Sequence, residues 1–159
     1  MATLILRNTY LALQEEMKSI DKLRTETALK IKEAASHGDL KENYEYKAAK
    51  EAMELLMFKK ELMQSHAPFR FIEHNEIGVK EVEFGNRIII QEEDKDEPEE
   101  YYLLGPIEFE LDLYPMIVTY HSPFGKTIIG KKVGEEFMLE IRGEETNFTI
   151  TAIEKIPIK

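Results

Sequence analysis

The chain has 159 residues, 43% of them hydrophobic and 33% charged, which is enough for one medium domain or two small ones. Its formal net charge is −10, which argues against a general nucleic-acid-binding protein, because such a protein needs a basic face to displace the counterions of the phosphates. Cysteine is absent, which excludes disulfide bonds and zinc–thiolate sites and favours an intracellular protein. The sequence shows neither a signal peptide nor the roughly 18 consecutive apolar residues of a membrane span, so we expect a cytoplasmic protein.

The composition changes at Pro68. Gly38 is the only glycine before this point, whereas the other seven glycines and all six prolines, Pro68 included, come from there onward. This shift indicates a helical first part and a second part built of strands and turns. We expect two domains, at residues 1–75 and 76–159.

Apolar residues of the first part follow the heptad spacing of a coiled coil. The first run has Arg24 as an interruption and comprises Tyr10, Leu13, Met17, Ile20, Thr27, Ile31 and Ala34. The second run has Lys60 as an interruption and comprises Tyr46, Ala49, Met53, Leu56 and Met63, with Leu55, Phe58 and Leu62 expected to widen the packed face. Asn8 or Thr9 is a candidate helix cap. Because the connection is short, the runs predict an antiparallel helical hairpin of about 40 Å, at ~1.5 Å per residue, that projects from the rest of the protein.

The second part contains five segments rich in β-branched and aromatic residues, which predict strands at residues 86–91, 100–105, 115–121, 136–141 and 147–156. A short helix or turn is expected between the third and fourth strands. The acidic segment "QEEDKDEPEE" is interpreted as a solvated hairpin loop, with a functional acidic patch as the alternative. The four histidines lack the spacing of metal ligands. The fold class is therefore α+β, with an antiparallel sheet after the hairpin.

The segment "SHGDLKENYEYKAAKEA" contains the turn of the predicted hairpin. Gly38 suits the left-handed conformation that ends a helix. Asp39 and Glu42 have the spacing of a capping box, and acidic side chains also complement the dipole at a helix N-terminus. The same two carboxylates are also hard oxygen ligands of the kind that Mg²⁺ prefers, and they could complete a metal site in another protein. The spacing alone leaves both interpretations open.

Two segments carry a resemblance to a known family. "HGDLKENYEYKAAKE" resembles the hairpin-tip signature of bacterial Gre-type transcript cleavage factors, and "VTYHSPFGKTIIGKKVGEEFMLEI" resembles the C-terminal signature of the same family. The resemblance spans nearly the whole chain and is closer to the GreA type than to the GreB type, because the hairpin lacks a broad basic stripe. It implies an N-terminal antiparallel coiled coil followed by a C-terminal FKBP-like β-sheet domain.

The resemblance also implies a function and partners. The expected partners are bacterial RNA polymerase and the 3′ end of backtracked nascent RNA, and we expect a monomer. The C-terminal domain would dock at the rim of the polymerase secondary channel, and the hairpin would enter the channel. There the factor would stimulate the Mg²⁺-dependent endonuclease of the polymerase and so rescue arrested complexes, without being an enzyme by itself.

Site residues follow from matching the signatures position by position. Asp39 and Glu42 occupy the acidic pair, which would share a Mg²⁺ ion with the polymerase active site; the isolated protein is expected to bind none. The candidates for RNA contact, with helix packing or solvation as the alternative, are Tyr46, Lys47 and Lys50. The candidates for polymerase docking are Ser122, Pro123, Phe124, Gly125 and Gly130. The alternative for Phe124 is a position in the core, and for the other four it is turn formation.

One residue departs from the family pattern. Tyr44 stands where the family usually has a small residue, and a bulky ring beside the acidic pair could alter the fit of the tip in a narrow channel. Tyr44 therefore leaves open a channel-binding paralogue that inhibits or modulates the polymerase. Two further alternatives are retained, namely an FKBP-like chaperone or isomerase with a coiled-coil arm and a structural coiled-coil adaptor whose helices are merely capped.

Overall fold

The structure is a computed structural model that describes residues 2–38 and 40–157, without the side chains of residues 37 and 40–43. Its helices and strands follow in the order β1 (Thr3–Leu6), α1 (Arg7–His37), α2 (Leu40–Gln64), β2 (Phe69–Ile72), a 3₁₀ turn (His74–Glu76), β3 (Asn86–Glu92), β4 (Glu99–Leu104), α3 (Pro106–Glu110), β5 (Ile117–Thr119), α4 (Pro123–Ile128), β6 (Glu136–Ile141) and β7 (Glu144–Lys155). A long helical hairpin thus precedes a sheet domain, which confirms the expected α+β fold class. None of the described helices combines the length and the apolar character needed to cross a membrane.

The chain forms two compact units. The hairpin unit is Leu11–Ala67, and the β unit combines Met1–Tyr10 with Pro68–Lys159. The N-terminal residues belong to the β unit because β1 pairs in parallel with β2, with Thr3 opposite Phe69 and Leu6 opposite Ile72. The local sequence pattern does not predict this pairing, which joins segments more than 60 residues apart.

The seam between α1 and α2 follows the predicted heptads. In α1, Leu13, Ile20, Thr27 and Ala34 are buried, and the interrupting Arg24 is exposed. The helices run antiparallel: Glu16 and Asp21 of α1 pair with Lys59 at 2.6 Å and Lys60 at 2.9 Å near the end of α2, whereas the later α1 residue Ala34 lines a groove with Ala48 and Ala49 near the start of α2. Lys60 occupies a seam position and is half-buried, while its ammonium group reaches Asp21. The hydrogen bond from Lys60 lowers the pKa of Asp21.

Two details of the hairpin prediction are wrong. Leu55 and Phe58 do not widen the packed face, since their side chains are 69% and 64% exposed. Each residue turns about 100° around a helix, so Leu55 points well away from the neighbouring seam residue Leu56. Asn8 and Thr9 do not cap α1 either, because the helix already begins at Arg7.

The five-stranded sheet of the β unit has the order β5–β4–β3–β7–β6 and is antiparallel except for its β4–β5 edge, which is parallel. Alternation places one face of each central strand in the core, where Ile88, Ile90, Leu103 and Ile150 are completely buried. The acidic segment forms the exposed connection between β3 and β4, as its interpretation as a hairpin loop predicted. The predicted short helix between the third and fourth strands is α4.

A single buried carboxylate joins the start of two helices in the β unit. Glu108 is completely buried and accepts hydrogen bonds from the Leu6 N–H at 3.2 Å, where α1 begins, and from the Gly105 N–H at 3.0 Å, where α3 begins. These N–H groups are among those that a helix leaves without an intrahelical partner. Burial raises the pKa of Glu108, although the contacts with Thr9, Leu6 and Gly105 act in the opposite direction. The hydroxyl of Tyr120 similarly accepts the Leu4 N–H at 2.8 Å.

The raised pKa of Glu108 predicts a pH-dependent contribution to stability. A carboxyl group whose pKa is higher in the folded state contributes to stability. This contribution is complete below the unfolded pKa of about 4.5, and it disappears as the pH rises through the folded pKa. We therefore expect the free energy of unfolding of the wild type, measured relative to Glu108→Gln by chemical denaturation and circular dichroism, to decrease as the pH rises above about 4.5.

The matched control is Glu110→Gln, because Glu110 lies on the same short helix and is exposed. Its difference from the wild type should hardly change over the same pH range. A difference between wild type and Glu108→Gln that stays constant, or that grows in favour of the wild type with rising pH, would contradict the assignment.

Candidate functional site

The tip of the hairpin lies where the sequence places it. α1 ends at His37 and α2 begins at Leu40, and Gly38 between them has φ +74°, the left-handed conformation predicted for this position. Glu42 lies in the first turn of α2. Asp39 and the side chain of Glu42 are outside the described residues, so the geometry of the acidic pair stays a prediction.

The described side chains nearest to the tip are aromatic and basic. Tyr44 is 76% exposed, and Lys47 is exposed as well. Tyr46 is half-buried at a seam position, and the ammonium group of Lys50 lies 5.5 Å from the centre of its ring, within the range of a cation–π contact. Tyr46 therefore packs in the seam and also contacts the Lys50 ammonium group. Lys47 and Lys50 are both exposed, so a negatively charged ligand can reach them.

The seam is incompletely filled behind the tip. An open groove of about 570 Å³ lies between the two helices, and its lining includes Thr27 of α1 and Ala48, Ala49 and Ala52 of α2. Ala48 and Ala52 are exposed, so the groove opens to solvent, whereas Ile20 and Met63 nearer the other end are completely buried. The seam near the tip is therefore built of smaller side chains than the root.

The C-terminal signature forms the start of α4. The Ser122 hydroxyl accepts the Gly125 N–H at 3.0 Å and donates to the Thr119 carbonyl at 2.7 Å, and Pro123 is the first helical residue. This is a helix N-cap followed by proline at the position where its missing N–H costs nothing. The turn interpretation of Ser122 and Pro123 is thereby confirmed, and their docking role stays a prediction.

The other candidates of this loop divide into packed and exposed residues. Phe124 packs against the core, with its ring centre 5.1 Å from that of Tyr101. Gly125 is buried, so it does not present a surface to a partner. Gly130 is exposed, has φ +86° and donates its N–H to the Val82 carbonyl. Of the predicted docking residues, Pro123 and Gly130 are therefore the ones that offer exposed surface.

Glu108 and β1 are the features that the sequence analysis missed. A usable signal for Glu108 was present, because it lies three residues after Gly105 with Pro106 between them, a spacing typical of a helix start. Nothing in the local sequence indicates that the same carboxylate also reaches Leu6, more than 100 residues earlier. Among the residues described, no three or more histidine, aspartate or glutamate side chains are grouped to hold a metal ion.

Comparisons with known proteins agree with this arrangement. Residues 3–64 match the family model described as "Transcription elongation factor, N-terminal", and residues 77–155 match "Transcription elongation factor, GreA/GreB, C-term". The chain is 34% identical over 146 residues to transcription elongation factor GreA of Thermodesulfovibrio yellowstonii, covering 91% of each chain. It is 32% identical over 155 residues to GreA of Novosphingobium aromaticivorans, covering 96% of this chain and 95% of the relative.

The matches define a transcription elongation factor. More specifically, the chain belongs to the GreA/GreB family. Among solved structures, Gfh1 of Thermus aquaticus is 18% identical with a TM-score of 0.45, covering 96% of this chain and 97% of that one. A GreA/GreB factor of Nitrosomonas europaea is 18% identical with a TM-score of 0.42, covering 59% of this chain and 76% of that one. These structural likenesses are too distant to bear on function.

The α4 loop generates a prediction about Gly125. A methyl group at this position would press against the Thr119 carbonyl oxygen and lie 3.0 Å from the Tyr120 Cα. Because both are backbone atoms, Gly125→Ala should destabilise the β unit by about 3 kcal/mol, as forced overpacking does. Thermal denaturation followed by circular dichroism measures this loss.

The control for this variant is Lys126→Ala, which changes the exposed neighbour on the same helix and should alter stability by less than about 0.5 kcal/mol. Equal melting temperatures for Gly125→Ala and Lys126→Ala would contradict the prediction, because they would show that the backbone near Thr119 and Tyr120 shifts without loss of stability.

Proposed function

We propose that the chain binds bacterial RNA polymerase and stimulates the polymerase's own hydrolysis of backtracked RNA, thereby rescuing arrested elongation complexes. The observation that carries this proposal is the position of the tip signature. Its first residues, His37 and Gly38, lie where α1 gives way to α2, and its residues from Leu40 onward form the first turns of α2. The position of this signature in the chain supports an acidic pair at the end of the hairpin.

The dimensions of the hairpin suit entry into a channel. α2 has 25 residues, which at about 1.5 Å per residue makes it about 37 Å long. The seam near the tip includes the small residues Thr27, Ala34 and Ala49. The β unit supplies a separate body with its own core, which would remain outside the channel and dock at its rim.

In the proposed complex, Asp39 and Glu42 act at the polymerase active site. Carboxylate oxygens are the ligands that Mg²⁺ prefers, but two carboxylates leave most of an octahedral shell open, so the ion would be shared with the polymerase. A Mg²⁺ ion held there would polarise the phosphodiester and lower the pKa of a bound water molecule. The chain itself contributes negative charge at the required place, and most of the site belongs to the polymerase.

The basic residues behind the tip would contact the RNA. Lys47 is exposed, and Lys50 is oriented by its contact with the Tyr46 ring. Both lie within about two helical turns of Glu42, so their ammonium groups can reach phosphates of an RNA 3′ end that approaches the tip. Because few cations are involved, this contact would be local, in keeping with the net charge of −10.

The test uses backtracked elongation complexes of purified bacterial RNA polymerase with end-labelled RNA. The wild-type chain should accelerate cleavage of the RNA 3′ end, and Asp39→Ser and Glu42→Gln should each lower this stimulation by on the order of 100-fold, as loss of an electrostatic group at a reacting centre does. Both replacements can still cap a helix, so folding and polymerase binding should be retained.

Glu45→Gln is the matched control, because it removes the same charge from an exposed residue one turn beyond Glu42 and should leave cleavage unchanged. Unaltered cleavage with both acidic-pair variants would restrict Asp39 and Glu42 to capping. A wild-type chain that binds the polymerase and slows elongation without stimulating cleavage would identify the inhibitory alternative. Proline isomerisation by the isolated chain, without polymerase binding, would identify the chaperone alternative.

A further inference from the structure

A second apolar face lies on α2, away from its seam. Leu55, Phe58 and Leu62 are spaced by three and four residues, which places them on one side of the helix, and we call them the outer stripe. Leu55 and Phe58 are 69% and 64% exposed, and Leu62 is half-buried. A helix with a single partner needs one apolar face, and α2 already packs its seam residues against α1. The outer stripe is therefore available to an additional partner.

The exposed charges around the outer stripe are mainly acidic. Glu51 and Glu54 lie one turn before Leu55 and Phe58, Glu61 lies one turn after Phe58, and all three are exposed. None of these glutamates forms an ion pair with any residue in the described ranges. The neighbouring Lys59 is bound to Glu16 of α1 at 2.6 Å. The stripe thus combines an exposed apolar centre with an acidic margin.

We propose that the outer stripe is a second docking surface, which receives a basic amphipathic helix of RNA polymerase. An apolar row at spacings of three and four is complementary to the apolar face of another helix, and the acidic margin selects lysine and arginine beside that face. A second copy of this chain is a poor occupant, because its net charge of −10 would bring like charges together.

The choice of the polymerase rests on the proposed function. Leu55 and Leu62 lie 15 and 22 residues beyond Leu40, the first residue of α2, which corresponds to about 23 and 33 Å along the helix. When the tip reaches the active centre, the stripe lies that far back along the path of entry. It would then hold the hairpin at a fixed depth, in addition to the contact made by the β unit.

The first test compares affinity with catalytic stimulation. Leu55→Gln combined with Phe58→Gln changes only exposed side chains, so the hairpin should stay folded, as circular dichroism would verify. We expect the affinity for core RNA polymerase, measured by fluorescence anisotropy of a labelled factor, to fall by at least about tenfold, since each buried apolar side chain contributes more than a tenfold factor on the scale of transfer free energies. Cleavage at saturating factor should be unchanged.

Two further variants make this test specific. Leu29→Gln is the matched control, because Leu29 is 63% exposed on α1 and lies outside the stripe; its affinity should equal that of the wild type. The triple change Glu51→Gln, Glu54→Gln and Glu61→Gln should weaken binding and reduce its dependence on salt. Wild-type affinity for the stripe variant would overturn the proposal.

The second test identifies the occupant. Because the chain contains no cysteine, Phe58→Cys gives a single attachment point for a photoreactive maleimide, and Leu29→Cys gives the control. Irradiation in the polymerase complex should attach Phe58→Cys to a lysine- or arginine-bearing helical segment of the polymerase, identified by mass spectrometry. Attachment to an acidic or non-helical segment, or between two copies of the chain, would overturn the proposal.

The outcomes also separate the two proposals. A wild-type chain that binds the polymerase and stimulates cleavage, together with a stripe variant of equal affinity, overturns the docking surface alone. A wild-type chain that binds the polymerase without stimulating cleavage overturns the proposed function. The docking surface is then still tested by comparing the affinities of the wild type and the stripe variant. A wild-type chain that does not bind the polymerase overturns both.

Discussion

The architecture of the β unit depends on the hydrogen bonds that the buried carboxylate of Glu108 accepts. It accepts hydrogen bonds from the residues directly before two helices, Leu6 before α1 and Gly105 before α3, and such N–H groups have no partner within the helix. A fully buried carboxylate costs free energy unless such donors surround it. Because α1 starts at this carboxylate and continues as the first helix of the hairpin, the hairpin begins from an anchored turn and not from a free end.

The parallel pairing of β1 with β2 reinforces the same anchor. The Tyr120 hydroxyl accepts the Leu4 N–H, and the ring of Tyr10 packs edge-on against that of Phe71, with centres 4.8 Å apart. Residues from both ends of the chain thus build one unit.

The seam residues differ between the two ends of the hairpin. Large seam residues such as Ile20 and Met63 are completely buried, whereas alanines line a groove nearer the tip. Large side chains contribute more to stability when buried, and small ones keep the pair of helices narrow. α2 then carries three features in order, namely the tip, the basic residues behind it and the outer stripe, so that one helix would present the acidic pair, the RNA contacts and a depth-setting surface.

The sequence by itself determined the features that depend on local periodicity and turn chemistry. The heptad positions, the left-handed Gly38 and the strand at residues 136–141 could be predicted because each reflects the conformation of neighbouring residues. Only the tertiary structure decided that Leu55 and Phe58 face outward and that Glu108 reaches Leu6. The first depends on which of the two apolar faces of α2 meets α1. The second brings together residues about 100 positions apart, and it leaves no trace in the spacing of nearby residues.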